Sequence, residues 1–132
     1  MKCCRVQVRT EHDVWIAAAT SSDMAQEIGL SVVDCARVET AVSEMAHNIV
    51  VHAQEGTITI QFVRQKQRYG LQVRAIDRGP GIRNISQAMQ DGFTTKNSLG
   101  IGLGVTKRMM DDLSIRSHPG WGTIVTATKW KR

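Results

Sequence analysis

The sequence predicts an α+β fold, a two-layer α/β sandwich in which an antiparallel or mixed sheet is covered by helices on one face. Two observations carry this prediction. Segments in which polar and apolar residues alternate, a pattern typical of strands, begin the chain, recur in its middle and end it. Between the first and second of these regions, two long segments repeat apolar residues at helical spacing. The predicted order is therefore strand, two helices, two strands, helix and two strands.

The first strand is predicted at residues 3–9 (CCRVQVR), where polar and apolar side chains alternate. A helix is predicted over residues 10–30. Thr10 and Asp13 match the capping-box pattern at its start, and Gly29 is placed to end it, because glycine readily adopts the left-handed conformation that closes helices.

The second helix is predicted over residues 31–53, where Ser31 and Asp34 repeat the capping pattern. Its apolar side chains recur at helical spacing and form one continuous stripe. The members of this stripe are Val38, Ala41, Val42, Met45, Ala46 and Ile49. Such a stripe indicates that this helix packs against the sheet.

The remaining elements follow from alternation, β-branched residues and turn residues. Strands are predicted at 57–63 (TITIQFV) and 69–77 (YGLQVRAID), joined by the polar tip QKQR. A short helical piece is predicted within 84–99, and a helix starts after the glycines near residue 102. Two further strands, LSIRS and TIVTATKW, are joined by the turn HPGWG.

The composition indicates one soluble domain spanning residues 1–132, with 42% hydrophobic and 22% charged residues. No apolar run approaches the roughly 20 residues that span a bilayer, and the N-terminus does not resemble a signal peptide, so a cytoplasmic location is expected. The three cysteines form no C-x-x-C pair, which argues against a zinc site or a disulfide framework.

The formal charge of +5 suits an acidic protein partner, a phosphorylated ligand or nucleic acid. However, the basic residues are scattered and only 5% of residues are aromatic, which argues against nucleic-acid binding. Among candidate chemical groups, Glu44 and Asn48 lie four residues apart on the second helix, at the shoulder of its apolar stripe. They either look into a cleft or form an ordinary solvated pair.

Three glycine-containing segments are further candidates. Asp77 ends a strand and is followed by RGPG, which is either a plain turn or a loop shaped around a ligand. SLGIGLG, residues 98–104, runs into a helix whose free N–H groups can bind an anion. The third segment, GWGT, ends at Thr123 and reads on its own as a hairpin turn.

Taken in order, the helix carrying EMAHN, the strand ending in DRGPG, the loop-to-helix GIGLG and the late GT resemble the GHKL ATPase/kinase superfamily, over about residues 31–128. Within it, ARVETAVSEMAHNI and DGFTTKNSLGIGLGVTKRMMDDL are similar to the small bacterial serine kinases of partner-switching systems, the stressosome switch kinases, which are close to anti-sigma factor kinases. The resemblance implies the Bergerat fold, with ATP and Mg²⁺ as cofactors.

The resemblance also implies roles for individual residues. Asp77 would accept a hydrogen bond from the adenine amino group, Gly79 and Gly81 would leave room for the base, and Thr123 would lie near the adenine pocket. Asn48 would be a magnesium ligand. The phosphate-facing residues would be Gly100, Ile101, Gly102, Leu103 and Gly104.

Glu44 corresponds to the acid that acts as general base in this superfamily and would orient a protein hydroxyl toward the γ-phosphate. The implied partners are STAS-domain proteins as substrates and, after release, a PPM-type serine phosphatase. Two alternatives stay open at this point: an anti-sigma factor with kinase activity that binds a sigma factor, and an ATP-binding interaction module without turnover.

Overall fold

The structure, a computed structural model, describes residues 2–79, 103–118 and 120–132. These residues form five strands and three α-helices in the predicted order, so the predicted α+β class is confirmed. The elements are β1 (Cys3–Val8), α1 (Glu11–Glu27), α2 (Val32–Asn48), β2 (Gly56–Gln65), β3 (Arg68–Asp77), α3 (Leu103–Met109), β4 (Asp112–His118) and β5 (Gly122–Trp130). The short helical piece predicted within 84–99 lies outside the described residues.

The two long helices begin as their sequences predict. Thr10 Oγ1 accepts a hydrogen bond from the Asp13 N–H at 3.3 Å, and the Asp13 carboxylate accepts one from the Thr10 N–H at 3.1 Å. Ser31 Oγ likewise accepts from the Asp34 N–H at 3.1 Å. Since these bonds satisfy amide groups that have no partner within the helix, each cap fixes where its helix starts.

The end of α2 differs from a regular helix. Ile49–Ala53 continue it as a π-helical turn, and Gln54 then leaves the helix with a φ of 71°. The wider turn brings Ala53 against Gly79, where an added Cβ would lie 2.7 Å from the Ala53 Cβ. Because π-turns often occur at functional sites, this segment indicates that a functional site lies close to it.

The sheet has the strand order β1-β2-β3-β5-β4, and each of these four pairings is antiparallel. One face carries buried apolar side chains in register, such as Ile60, Val73 and Ala127. The apolar stripe of α2 packs on that face and is completely or almost completely buried. The core therefore lies between the sheet and the helices.

Among the described residues, no helix has the length and apolar character needed to cross a membrane.

Candidate functional site

A small cleft opens between α2 and the core face of the sheet. Its lining is mostly apolar, with three polar side chains, and consists of Met45, Asn48, Ile49, Ala75, Asp77, Leu103, Thr123 and Val125. Four of these positions are predicted site residues that are far apart in sequence: Asn48, Asp77, Leu103 and Thr123. An apolar cavity with a few converging polar groups is the usual form of a small-molecule site.

Asp77 ends β3, where the register places it opposite Thr123 of β5. Its carboxylate accepts a 2.8 Å hydrogen bond from the Gly79 N–H and a backbone hydrogen bond from Thr123. Burial raises the pKa of Asp77, and these two backbone bonds oppose the rise without cancelling it. A partly buried carboxylate held by fixed donors can still accept a further hydrogen bond from a ligand amino group.

Gly79 has a structural reason to lack a side chain. Its N–H positions the Asp77 carboxylate, and a Cβ at this position would collide with Ala53 of the π-helical turn. Among the described residues, the close approach of Ala53 is therefore the reason that position 79 is a glycine. Gly81, the second glycine of this segment, lies outside the described residues.

Thr123 is buried at the start of β5, and its hydroxyl lies 2.8 Å from the Ser117 Oγ. Ser117 also donates a 3.0 Å hydrogen bond to the Gly122 carbonyl. Sequence reasoning did not single out Ser117. Only the β4–β5 register, which pairs Ser117 with Thr123, identifies it as a neighbour of the site.

Asn48, the last residue of α2, has a buried side-chain nitrogen that finds no hydrogen-bond partner among the described residues. A buried polar group without a partner typically costs about 1–3 kcal/mol. Because this amide lines the cleft, a polar ligand there would remove that cost. Asn48 is therefore the feature of the described cleft that most directly indicates a site for a polar ligand.

Glu44 lies one helical turn before Asn48 on the same face of α2, and it is partly exposed. It does not line the cleft. Four residues of helix separate Glu44 from Asn48 by about 6 Å along the axis. Glu44 is thus near the cleft without lining it, and it is in part accessible to solvent.

The predicted phosphate-facing segment is described only from Leu103 onward; Gly100, Ile101 and Gly102 lie outside the described residues. Leu103 and Gly104 begin α3 and are both buried, and Leu103 lines the cleft. The start of α3 is thus brought to the cleft, and its contact with phosphates stays a prediction. In the described part of the chain, no cluster of three or more His, Cys, Asp or Glu side chains could hold a metal.

Residues 8–129 match the family described as Histidine kinase-like ATPase domain. The chain belongs to this family. It is 43% identical over 127 residues to the serine/threonine-protein kinase RsbT of Bacillus subtilis (strain 168), with 96% of both chains covered. It is 36% identical over 113 residues to the anti-sigma F factor of Caldanaerobacter subterraneus subsp. tengcongensis, which covers 80% of this chain and 77% of that protein.

Two solved structures share the fold. One is the histidine kinase domain of the Erythrobacter litoralis EL346 blue-light activated histidine kinase, with a TM-score of 0.56 and 17% identity over 90% of this chain and 59% of that chain. The other is from the SiaB–SiaC complex of Pseudomonas aeruginosa, with a TM-score of 0.52 and 13% identity over 98% and 89% of the two chains. At such identities the likeness concerns the fold alone.

The predicted membership of the GHKL superfamily is confirmed by these findings, as is the prediction of a protein kinase related to partner-switching regulators. ATP is the nucleotide that the family implies.

Proposed function

We propose that this protein is an ATP- and Mg²⁺-dependent serine/threonine kinase that phosphorylates a STAS-domain protein in a bacterial stress-signalling partner switch. Released from that partner, it binds and activates a PPM-type phosphatase. The observation that carries the proposal is the cleft in which Asp77, Thr123 and Asn48 converge, the Asn48 amide nitrogen having no partner among the described residues, in a chain 43% identical to a serine/threonine-protein kinase over almost its whole length.

The adenine end of the nucleotide is assigned to Asp77. Its carboxylate is oriented by the Gly79 N–H and can accept a hydrogen bond from the adenine amino group, which distinguishes adenine from bases that present a carbonyl there. Met45, Ile49 and Val125 supply apolar surface for the ring faces. Thr123 and Ser117 supply hydroxyls at the same edge of the sheet.

The phosphate end is assigned to Asn48 and the start of α3. When the Asn48 amide nitrogen donates to a phosphate oxygen, its carbonyl oxygen remains available to a cation. Mg²⁺ typically uses few protein ligands and several phosphate and water oxygens, so a single amide oxygen fits this ion, which would neutralise charge on the transferred phosphoryl group. Gly100, Ile101, Gly102, Leu103 and Gly104 are proposed to face the phosphates.

Glu44 is proposed to orient the acceptor hydroxyl and take up its proton. Its position one turn before Asn48, partly exposed and not among the cleft-lining residues, suits this role, because the acceptor comes from a separate protein and the nucleotide occupies the cleft. Phosphoryl transfer depends mainly on positioning and charge neutralisation, so a correctly placed carboxylate is sufficient for the acceptor side.

The proposal is tested by incubating the protein with ATP labelled at the γ-phosphate, Mg²⁺ and a STAS-domain protein from the same organism. We expect label on a serine or threonine of the STAS-domain protein. If ATP binds and no partner is labelled, the chain is an ATP-binding interaction module and the kinase proposal fails. Binding of the chain to the phosphatase in the absence of the STAS-domain protein, measured by calorimetry, tests the second half of the proposal.

The alternative function is that of an anti-sigma factor with serine kinase activity. The 36% identity to an anti-sigma F factor favours it. Stable co-purification with a sigma factor, together with phosphorylation of an antagonist protein, would select this alternative. In either case we propose that residues 1–132 form one domain that works in the cytoplasm, in keeping with the family match over 8–129 and three free cysteines.

A further inference from the structure

The second face of the sheet, opposite the core, carries basic side chains that have no acidic partner among the described residues. We define this outer face by two rows of side chains that the strand register places next to each other. The first row is Arg5, Thr59, Arg74, Thr126 and Ser114, and the second is Gln7, Thr57, Ile76, Ile124 and Arg116. We propose that the outer face is a docking surface for an acidic protein other than the phosphate acceptor.

The outer face is not covered by the described helices. Successive side chains of a strand point to opposite faces, and the buried residues Ile60, Val73 and Ala127 occupy the face that packs on the helices. On the outer face, Ile76 and Ile124 are only partly buried. A sheet face that keeps apolar side chains partly exposed between charged ones is suited to a protein contact.

The three arginines of the outer face are exposed and make no ion pair or hydrogen bond with any described residue. Other arginines of the chain do find acidic partners: Arg9 lies 3.3 Å from Glu55, and Arg37 lies 3.0 Å from Asp34. The outer-face arginines therefore keep their charge and hydrogen-bonding capacity available for a partner.

Acidic side chains are almost absent from this side of the described strands. Asp112 of β4 is the one carboxylate there, and it accepts a 2.7 Å hydrogen bond from the Trp130 indole nitrogen. Neighbouring strands lie about 4.8 Å apart, which places Arg5 and Arg74 about 10 Å from each other across β2. The arginines thus present separated positive charges that complement a partner surface with several carboxylates.

The composition of the outer face favours a protein over nucleic acid. Its charged groups are arginines without lysines, and isoleucines and threonines lie between them. Arginine is enriched and lysine depleted in protein interfaces, whereas single-stranded nucleic acid is bound with stacking aromatic side chains. A second copy of this chain is disfavoured, because its outer face would add positive charges and almost no carboxylates to pair with the arginines.

The docked partner would not be the phosphate acceptor, because the sheet separates the two sites. Asn48 and the cleft lie on the core side of the sheet, and Glu44 lies on α2, the helix that packs on that side. A protein seated on the outer face cannot present a hydroxyl to that site without passing round the sheet edge. The inference thus goes beyond the proposed kinase activity and stands independently of it.

The test titrates the ¹⁵N-labelled full chain with poly-L-glutamate and, separately, with single-stranded DNA, following amide chemical shifts. We expect poly-L-glutamate to shift resonances of the two outer-face rows, and Arg74→Glu to weaken its binding at least tenfold. Lys66→Glu makes the same charge change at the exposed β2–β3 turn and is expected to weaken binding less than twofold. ATP affinity should be unchanged in both variants.

Three results would overturn the inference. Equal weakening by Arg74→Glu and Lys66→Glu would show a general charge effect. Tighter binding of DNA than of poly-L-glutamate at the same rows would identify a nucleic-acid surface. Loss of a dimer on Arg74→Glu, seen by sedimentation, would show that a second copy occupies the face. If Arg74→Glu disturbs the sheet, the milder variant Arg74→Gln is used in its place. It removes the positive charge without reversing it and is also expected to weaken binding.

Discussion

Lys129 and Asp34 form a buried ion pair. The Lys129 Nζ lies 3.6 Å from the Asp34 Oδ1, and the two side chains are only 4% and 7% exposed. The same ammonium group donates a 2.9 Å hydrogen bond to the Met109 carbonyl at the end of α3 and lies 3.5 Å from the Asp111 carboxylate. One cation thus links β5 to the start of α2 and the end of α3, the two helices that form one side of the candidate cleft.

Replacement of Lys129 by methionine is expected to lower the free energy of unfolding by about 3 kcal/mol, since breaking a buried pair leaves buried carboxylates with fewer partners. The measurement is urea denaturation followed by circular dichroism. Lys131→Met, at the exposed neighbouring lysine, serves as the control and should change stability by less than about 0.5 kcal/mol. Wild-type stability of Lys129→Met would show that the network contributes nothing.

Gly122 and Gly120 form a matched pair for testing the turn before β5. Both have positive φ, 131° and 78°, but a Cβ on Gly122 would collide with the Asp77 carbonyl oxygen and lie 2.9 Å from the Arg78 Cα, whereas one on Gly120 would meet nothing within 4 Å. We expect Gly120→Ala to cost about 1–2 kcal/mol from the backbone alone.

Gly122→Ala should cost more than this and should also weaken ATP binding, because the clash displaces the segment that carries the Asp77 carboxylate. Thermal unfolding with and without ATP measures both effects. Equal effects of the two substitutions on unfolding and on ATP binding would contradict this placement of Gly122.

The elements of the fold could be predicted because their signals are local. Caps at Thr10 and Ser31 and the alternation of the strands depend on residues close together in sequence. The π-helical turn and the contact of Ala53 with Gly79 could not be predicted, because they depend on how α2 meets β3. Pairing of Ser117 with Thr123 depends on the hairpin register, which leaves no signal at either residue alone.

The candidate site could be predicted in part, because each of its motifs is a local pattern in the sequence. The ordered motifs indicated Asn48, Asp77, Leu103 and Thr123, which the fold brings to one cleft. They also grouped Glu44 with Asn48, but a difference of one helical turn places only Asn48 in the lining. Spacing on a helix gives the face that residues share, and the position of the cleft along that face depends on tertiary packing.

Replacement of Glu44 by glutamine tests whether Glu44 acts in phosphate transfer and not, like Asn48, in nucleotide binding. We expect ATP affinity to stay within about twofold of wild type, because Glu44 lies outside the cleft lining. The rate of phosphate transfer to a STAS-domain partner should fall about 10²–10⁴-fold, the usual contribution of a general base. Glu39→Gln, an exposed acid on the same helix, is the control and should transfer at the wild-type rate. Transfer by Glu44→Gln at the wild-type rate would remove Glu44 from the mechanism.

Replacement of Asp77 by asparagine separates binding from folding. The asparagine carbonyl can still accept the Gly79 hydrogen bond, so the fold should be kept. Because burial raises the pKa of Asp77 above its ordinary value, the folded protein holds this proton more tightly than the unfolded chain does, and stability falls as pH rises through the raised pKa. Without nucleotide, the variant should therefore be at least as stable as wild type at pH 7 and should lack this pH dependence in thermal melts.

ATP binding by the same variant should change in the opposite direction. A charged acceptor for the adenine amino group typically contributes about 1.5–3 kcal/mol, so Asp77→Asn should weaken ATP about 10- to 100-fold in calorimetry. Wild-type affinity should also fall as pH is lowered through the raised pKa of Asp77, because the protonated carboxyl is a poorer acceptor. The variant binds the same nucleotide without this carboxyl titration, so any pH dependence it retains belongs to the ligand or to other groups. Unchanged ATP affinity in Asp77→Asn would mean that the Asp77–Gly79 segment is a structural turn and that adenine is recognised elsewhere.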